Sequence, residues 1–535
     1  MGFGIAPLSA PAFGQGSVAA KQSPADMLKD YIHYVTIARF DLAEANARAL
    51  LDMGITPVEF VDVVESDPRL EARFDEAYRR SQRRGELAEL SAQLWDLYDD
   101  GRKARARDPE EIRRNIDLLT GNRRAQLLAR DRIEAAGEYA VPHLLDVLLA
   151  RGNPAQQNEV QSVLDKLGAD AVAPLCAALP DLPAEMQEIT ARILGRIQYR
   201  TAVPYLYELA ASGKTDQVRG AAVEAVRNIE GSYDDSVPLA ARFRELGENY
   251  YGESPSLTRF PGEEFQLLWS FQSGLGLVPT AIRTEVYHEA MSMNLAQRAL
   301  QLDETDNFAL SLWLASNFSR EIDTPEGYEN PVYGPERRDA MYYAVAAGAG
   351  PSQQVLRRAL QDRDTRLAHR AIAALSQSAS GVDLAEGFGE ELPLVQALYY
   401  PDRRVQYEAA LALGRANPVD SFPGADRVVP LLASAIREAG VRYAVVIADD
   451  LNEQQRLRTL LESHNYDVLP PMRTLAEAQA SIAEVAGVDL LLASTSPERL
   501  EELIDATRRS PRLAATPIVG LTTFAGVNRI QGDAL

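Results

Sequence analysis

The sequence predicts a mainly α protein: an α-solenoid of repeated helix pairs with a small β-hairpin insertion, followed by a doubly wound α/β domain at the C-terminus. Three observations predict it. A proline phrase recurs as Ala-Val-Pro142, Val-Ala-Pro174, Ala-Val-Pro204 and Ser-Val-Pro238, at separations of 32, 30 and 34 residues. A helix phrase opening on aspartate recurs at Asp216, Asp364 and Asp402. From residue 441 the pattern changes to short apolar runs alternating with amphipathic helices.

Length and charge bound the rest. A chain of 535 residues exceeds what one hydrophobic core supports. With 46% hydrophobic and 25% charged residues it is a folded chain rather than a disordered one. A net charge of −22, from 77 acidic against 55 basic residues, repels a phosphate backbone, so no nucleic-acid partner is expected. The basic runs Arg79 to Arg84 and Arg102 to Arg105 are each flanked by acidic residues. The single cysteine, Cys176, excludes an intramolecular disulfide and reads as a small buried hydrophobe.

Residues 1–22 carry no charge before Lys21 and are rich in Ala, Gly, Pro and Ser, with Ala10-Pro11-Ala12 matching the small-x-small pattern of a signal-peptidase site. This predicts the tail of an export signal, hence a periplasmic or cell-envelope location. The alternative is a disordered N-terminus on a cytoplasmic chain. No run of 18 apolar residues occurs, so no transmembrane segment is expected and any envelope association is peripheral.

Residues 23–120 read as a helical lead-in, with Leu28, Tyr31, Tyr34, Val35 and Ala38, and then Leu87, Leu90, Leu94 and Leu97, at helical spacing. Over 121–250 each proline of the recurring phrase fits the first turn of a helix, where a missing N–H costs nothing, and about three repeat units are expected. Aligning Val218, Leu367 and Val405 places Ala222, Ala371 and Ala409 on one helix face, where small side chains permit close approach. The acidic residue opening each phrase suits the cap and the helix dipole. A helix pair of roughly 30 to 40 residues with these features resembles the HEAT repeat of the armadillo-type fold, whose superhelix offers an extended binding surface. The segment 251–350 is predicted to hold a β-hairpin, Glu264 to Ile282, with aromatic residues on one side. A join around Asp303 follows, resembling that of a tetratricopeptide repeat. Two further repeats are expected over 351–440.

Over 441–535, strands at 441–448, 466–469, 488–493 and 517–522 alternate with helices, which implies a parallel, flavodoxin-like sheet. The first strand ends in Asp449-Asp450, and the segment resembles the receiver domain of response regulators, the CheY-like fold. The resemblance implies a Mg²⁺ site at Asp449 and Asp450, a phosphoacceptor at the end of the third strand, and a switch Ser/Thr at Thr522. At the acceptor position stands Ser494, and the chain given ends before a fifth strand and its lysine. A vestigial metal site and a pseudo-receiver used for docking are therefore expected.

No other chemistry emerges. The five histidines are scattered, and His288-Glu-Ala-Met-Ser292 lacks the second ligand of a zinc-protease motif. No catalytic residue and no cofactor are expected. Tyr399-Tyr400-Pro401, at a join between two helices, is the candidate partner surface. The whole arrangement is similar to HEAT-repeat proteins of planctomycete-type bacteria. That likeness transfers no activity; the resemblance to HEAT arrays, whose usual role is scaffolding, implies a non-catalytic scaffold for other proteins, a structural subunit of a homo-oligomer or larger cell-envelope assembly. The rival reading is a regulatory signalling protein, with the receiver-like domain as sensor or docking module and the solenoid as output.

Overall fold

The computed structural model describes residues 23–150, 152–378, 392–416, 422–438, 441–485, 487–510, 512–514 and 516–522. The export-signal reading over 1–22 lies outside the described residues. Among the described residues the chain is predominantly helical with a few short strands. No helix is long and apolar enough to cross a membrane. The chain divides into two compact units, Met1–Pro174 and Leu175–Leu535.

In the first unit five of the described helices start the same way. Ser23, Thr56, Asp67, Asp108 and Asn153 each stand before a proline, and each side chain accepts from a backbone N–H of the first turn. The proline occupies the position whose N–H has no partner in any helix, and the preceding residue supplies the missing acceptor. Five helices, from Pro24–Thr36 to Glu86–Arg107, bury Tyr31, Phe60, Phe74, Leu87 and Leu94 in one cluster. The Tyr31 hydroxyl is satisfied inside it by Ser91 Oγ at 2.8 Å. Helices Pro109–Leu118, Arg123–Ala136, Val141–Leu149 and Pro154–Leu167 follow.

The proline phrase behaves as predicted at Pro142 and Pro204, which sit in the first turn of their helices after a short 3₁₀ turn. Pro238 is the residue just before helix Leu239–Tyr251. Pro174 departs from the expectation and lies inside helix Ala169–Ala178. There the helix already begins at Ala169, directly after the positive-φ Gly168, so the proline falls a turn late and one i→i−4 hydrogen bond is lost. Among the described residues eight α-helices lie between Arg123 and Tyr251.

In the second unit alternate helices stack between Ala184 and Tyr251, alongside the contacts of sequential neighbours. Ala184–Ile197 packs on Asp216–Glu230, and Val203–Ser212 on Leu239–Tyr251. This is repeat-like packing, and the alanines of the aligned phrase explain its closeness: Ala222, Ala371 and Ala409 are all fully buried. Gly195 contributes in the same way, since a Cβ there would stand 2.8 Å from Ala225 Cα. The caps divide differently from expectation. Asp364 and Asp402 do cap, accepting from Leu367 N at 2.9 Å and Val405 N at 3.0 Å. At the first phrase the cap is Thr215, which accepts from Val218 N, and Asp216 is already the first helical residue.

Strands β1 (Phe265–Gln272) and β2 (Gly276–Arg283) form the antiparallel hairpin. Alternation puts Phe265, Leu267, Trp269 and Phe271 on one face, as predicted. Helices Tyr287–Leu302 and Asn307–Asp323 follow, joined by the predicted turn. Packed helices then continue to Ala425–Glu438.

The C-terminal sheet comprises β3 (Tyr443–Ala448), β4 (Asp467–Val468), β5 (Leu490–Ser494) and β6 (Ile518–Leu521). All pairings are parallel, in the order β4-β3-β5-β6. Helix Leu451–Ser463 covers one face through Leu457 and Leu461. Helices Leu475–Glu484 and Pro497–Arg509 cover the other through Ala478, Ile482, Leu500 and Leu503. Helices on both faces explain why β3 is an unbroken apolar run.

Candidate functional site

Parallel strands bring their C-terminal ends to one edge, and that edge gathers most of the residues singled out by sequence. The register pairs Ala448 with Ser494 and Ser494 with Leu521, so Ser494 ends the middle one of three adjacent strands while Asp449 and Thr522 follow the strands on either side. Asp450 is committed to the backbone. Its Oδ2 accepts from the amides of Asn452 and Glu453, both at 3.1 Å, and so starts helix Leu451–Ser463.

Asp449 is committed to a cation. Its Oδ1 pairs with Arg499 Nη1, and its Oδ2 accepts from Thr495 Oγ1 at 3.2 Å. Ser494 stands near Glu453, whose carboxylate is held bidentately by Arg456 at 2.7 and 2.6 Å. Those two neighbours, the arginine first, hold the Glu453 carboxyl below its usual range. Among the described residues the buried Thr522 hydroxyl has no hydrogen-bond partner.

This donor set does not fit Mg²⁺. The ion wants several oxygens in octahedral array, and here one carboxylate carries an arginine while the other is a helix cap. Among the described residues no group of three His, Cys, Asp or Glu side chains stands together to hold a metal.

Arg499 is the residue that sequence reading missed. It is the third residue of helix Pro497–Arg509, where the helix dipole disfavours a cation. An arginine in that first turn needs an anionic partner, and this was the available signal.

The tyrosine pair separates. Tyr399 is 57% exposed and lies under the Arg427 guanidinium, 4.3 Å from the ring centre. Tyr400 is buried, with its hydroxyl 3.0 Å from Thr365 Oγ1, and so belongs to the core rather than to a surface. Consecutive residues leaving a helix point in different directions, which a dipeptide motif does not reveal.

His288, the first residue of the incomplete zinc pattern, has its Nε2 2.9 Å from Thr258 Oγ1. Its neighbour Glu289 is 3% exposed, and burial pushes its carboxyl up to about 8. Compared with known protein families and with curated proteins, the chain matches none.

Proposed function

We propose that the protein is a non-catalytic scaffold. In this reading its helical pairs are HEAT-type repeats forming a solenoid, and its C-terminal α/β part is a pseudo-receiver that serves as a docking surface. The observation that carries it is the stacking of helix Ala184–Ile197 on Asp216–Glu230 and of Val203–Ser212 on Leu239–Tyr251, a repeat-like arrangement of the kind that builds long surfaces.

The state of the C-terminal edge agrees with the docking role. Arg499 supplies at Asp449 the positive charge that a metal would supply in a phosphorylated receiver, and the acceptor position holds serine. Both features weigh against the signalling alternative. Export to the bacterial envelope and membership of a larger assembly extend the same proposal, from the composition of residues 1–22.

Affinity isolation of the full-length chain from its native cells tests it, with mass read by light scattering and partners by mass spectrometry. Recovery in a large envelope complex, with the N-terminus cleaved near Phe13, is the expected result. A lone monomer that takes up label from an acyl phosphate in the presence of Mg²⁺ would sink the scaffold reading.

A further inference from the structure

A cleft of about 430 Å³ opens in the second unit where four chain segments end or turn: the 3₁₀ turn Arg200–Ala202, the end of helix Asp216–Glu230, the face of helix Leu239–Tyr251, and the turn Pro255–Leu257. That volume is within the range of small-ligand sites. Its floor is apolar, from Pro204, Leu246 and Leu257. Two of its walls are fixed before any ligand arrives. The Tyr199 hydroxyl donates to the Ser256 carbonyl at 2.7 Å and accepts from Arg259 Nη2 at 2.8 Å, so the ring is held as a panel. Arg242 is stacked 3.7 Å from the centre of the Tyr207 ring and donates to the Asp234 carbonyl at 2.5 Å.

The charges in the cleft are unevenly satisfied. Glu230 receives the Tyr207 hydroxyl at 3.3 Å. Among the described residues the buried Nε of Arg242 has no hydrogen-bond partner. Arg200 adds a second, exposed guanidinium at the rim. Glu230 and Glu245 nevertheless repel a multiply charged anion such as a phosphate. The ligand that fits brings one carboxylate for Arg242, an apolar side chain for the floor, and backbone N–H groups for Glu245.

We infer that this cleft binds a short extended peptide segment of a partner protein, in which an aliphatic residue stands next to an aspartate or glutamate. The inference rests on the scaffold reading and gives it a contact point. Preorganised walls lower the ordering cost of such a small interface.

The test is saturation-transfer NMR on the full chain with the peptide acetyl-Gly-Leu-Asp-Gly-amide. Strongest transfer to the leucine methyls is expected, falling about fivefold when Asp is replaced by Asn or Leu by Ala in the peptide, the effect of one lost charged contact or one emptied apolar site. Arg200→Glu and Arg242→Gln should each cause a similar fall. If Arg242→Gln does not fold, Asn249→Trp takes its place, filling the cleft from an exposed position. Absence of transfer, equal transfer to the variants, or stronger transfer to AMP than to the peptide would each overturn the inference. A native complex still recovered with Arg200→Glu and Asn249→Trp would remove the cleft from the assembly and leave the scaffold reading standing. Peptide binding by a chain that has no native complex would do the reverse.

Discussion

Glu289 shows how far a residue's chemistry depends on its neighbours. It lies beside Arg320, whose guanidinium is turned to Asn317 Oδ1 at 3.0 and 3.2 Å, while Glu253 and Asp323 add negative potential. Among the described residues the buried Glu289 Oε2 has no hydrogen-bond partner. Its carboxyl, pushed up mainly by desolvation to about 8, stays protonated in the folded chain at pH 7. An acid whose folded pKa is raised favours the folded state less as pH climbs from its unfolded value to its folded one. Stability is therefore expected to fall by roughly 3 kcal/mol between pH 5 and pH 8 from this group alone. Asp323, pushed up to about 6 by burial against the opposing pull of Arg366, acts in the same direction. Glu289→Gln should flatten the slope, and urea unfolding at pH 5, 6.5 and 8 measures it; an unchanged slope would place the titration elsewhere. Arg499→Ala belongs to the other extreme. Its pair with Asp449 is about half exposed, so the substitution should change stability by less than about 1 kcal/mol in the same assay.

Among the elements, close helix packing is carried by side chains that are absent. Gly101, in helix Glu86–Arg107, lies against the backbone of Pro57 so closely that a Cβ would overlap its carbonyl, and backbone cannot swing aside. Gly101→Ala is expected to cost about 2–3 kcal/mol despite the better helix propensity of alanine, readable as a lowered midpoint in urea. A charged clamp joins two other elements. Arg358, from helix Ala349–Asp362, grips both oxygens of Glu248 at 2.6 Å and lies 4.7 Å from the centre of the Tyr251 ring. Because Glu248 keeps a third of its surface in water, a double-mutant cycle of Arg358→Met with Glu248→Gln should give a coupling of about 1 kcal/mol. A coupling near zero would leave the stacking on Tyr251 as the contact that holds the two helices.

On the scale of the molecule, the buried residues form several clusters rather than one. Residues 28–98 make one core, helix Leu239–Tyr251 with the hairpin and the helices after it another, and the C-terminal sheet has its own core on each face. Separate cores imply separate cooperative units. Calorimetry is expected to show a broad or multiple transition, with the van't Hoff enthalpy below the calorimetric one. The C-terminal sheet is tied to the preceding helices by Arg404, which pairs with Asp489, while the other oxygen of Asp489 accepts from Tyr443 N at 2.9 Å. Arg404→Ala should lower the transition of the sheet and leave the transition of the 28–98 core in place.

The sequence by itself determined what is local. Ser-Pro, Thr-Pro and Asp-Pro junctions placed helix starts, because the cap and the first turn are settled within four residues. The Asp-led phrase with its alanine face marked helices that stack, and the run from Tyr443 to Ala448 announced a strand covered on both sides. What the tertiary structure decided is what depends on distant partners. Asp449 meets Arg499 fifty residues later, Tyr400 turns inward to Thr365, Pro174 is absorbed into a helix, and the cleft beside Arg242 is assembled from turns that no single stretch of sequence contains. Burial and charge pairing are properties of a residue's surroundings, and the fold alone brings those surroundings together.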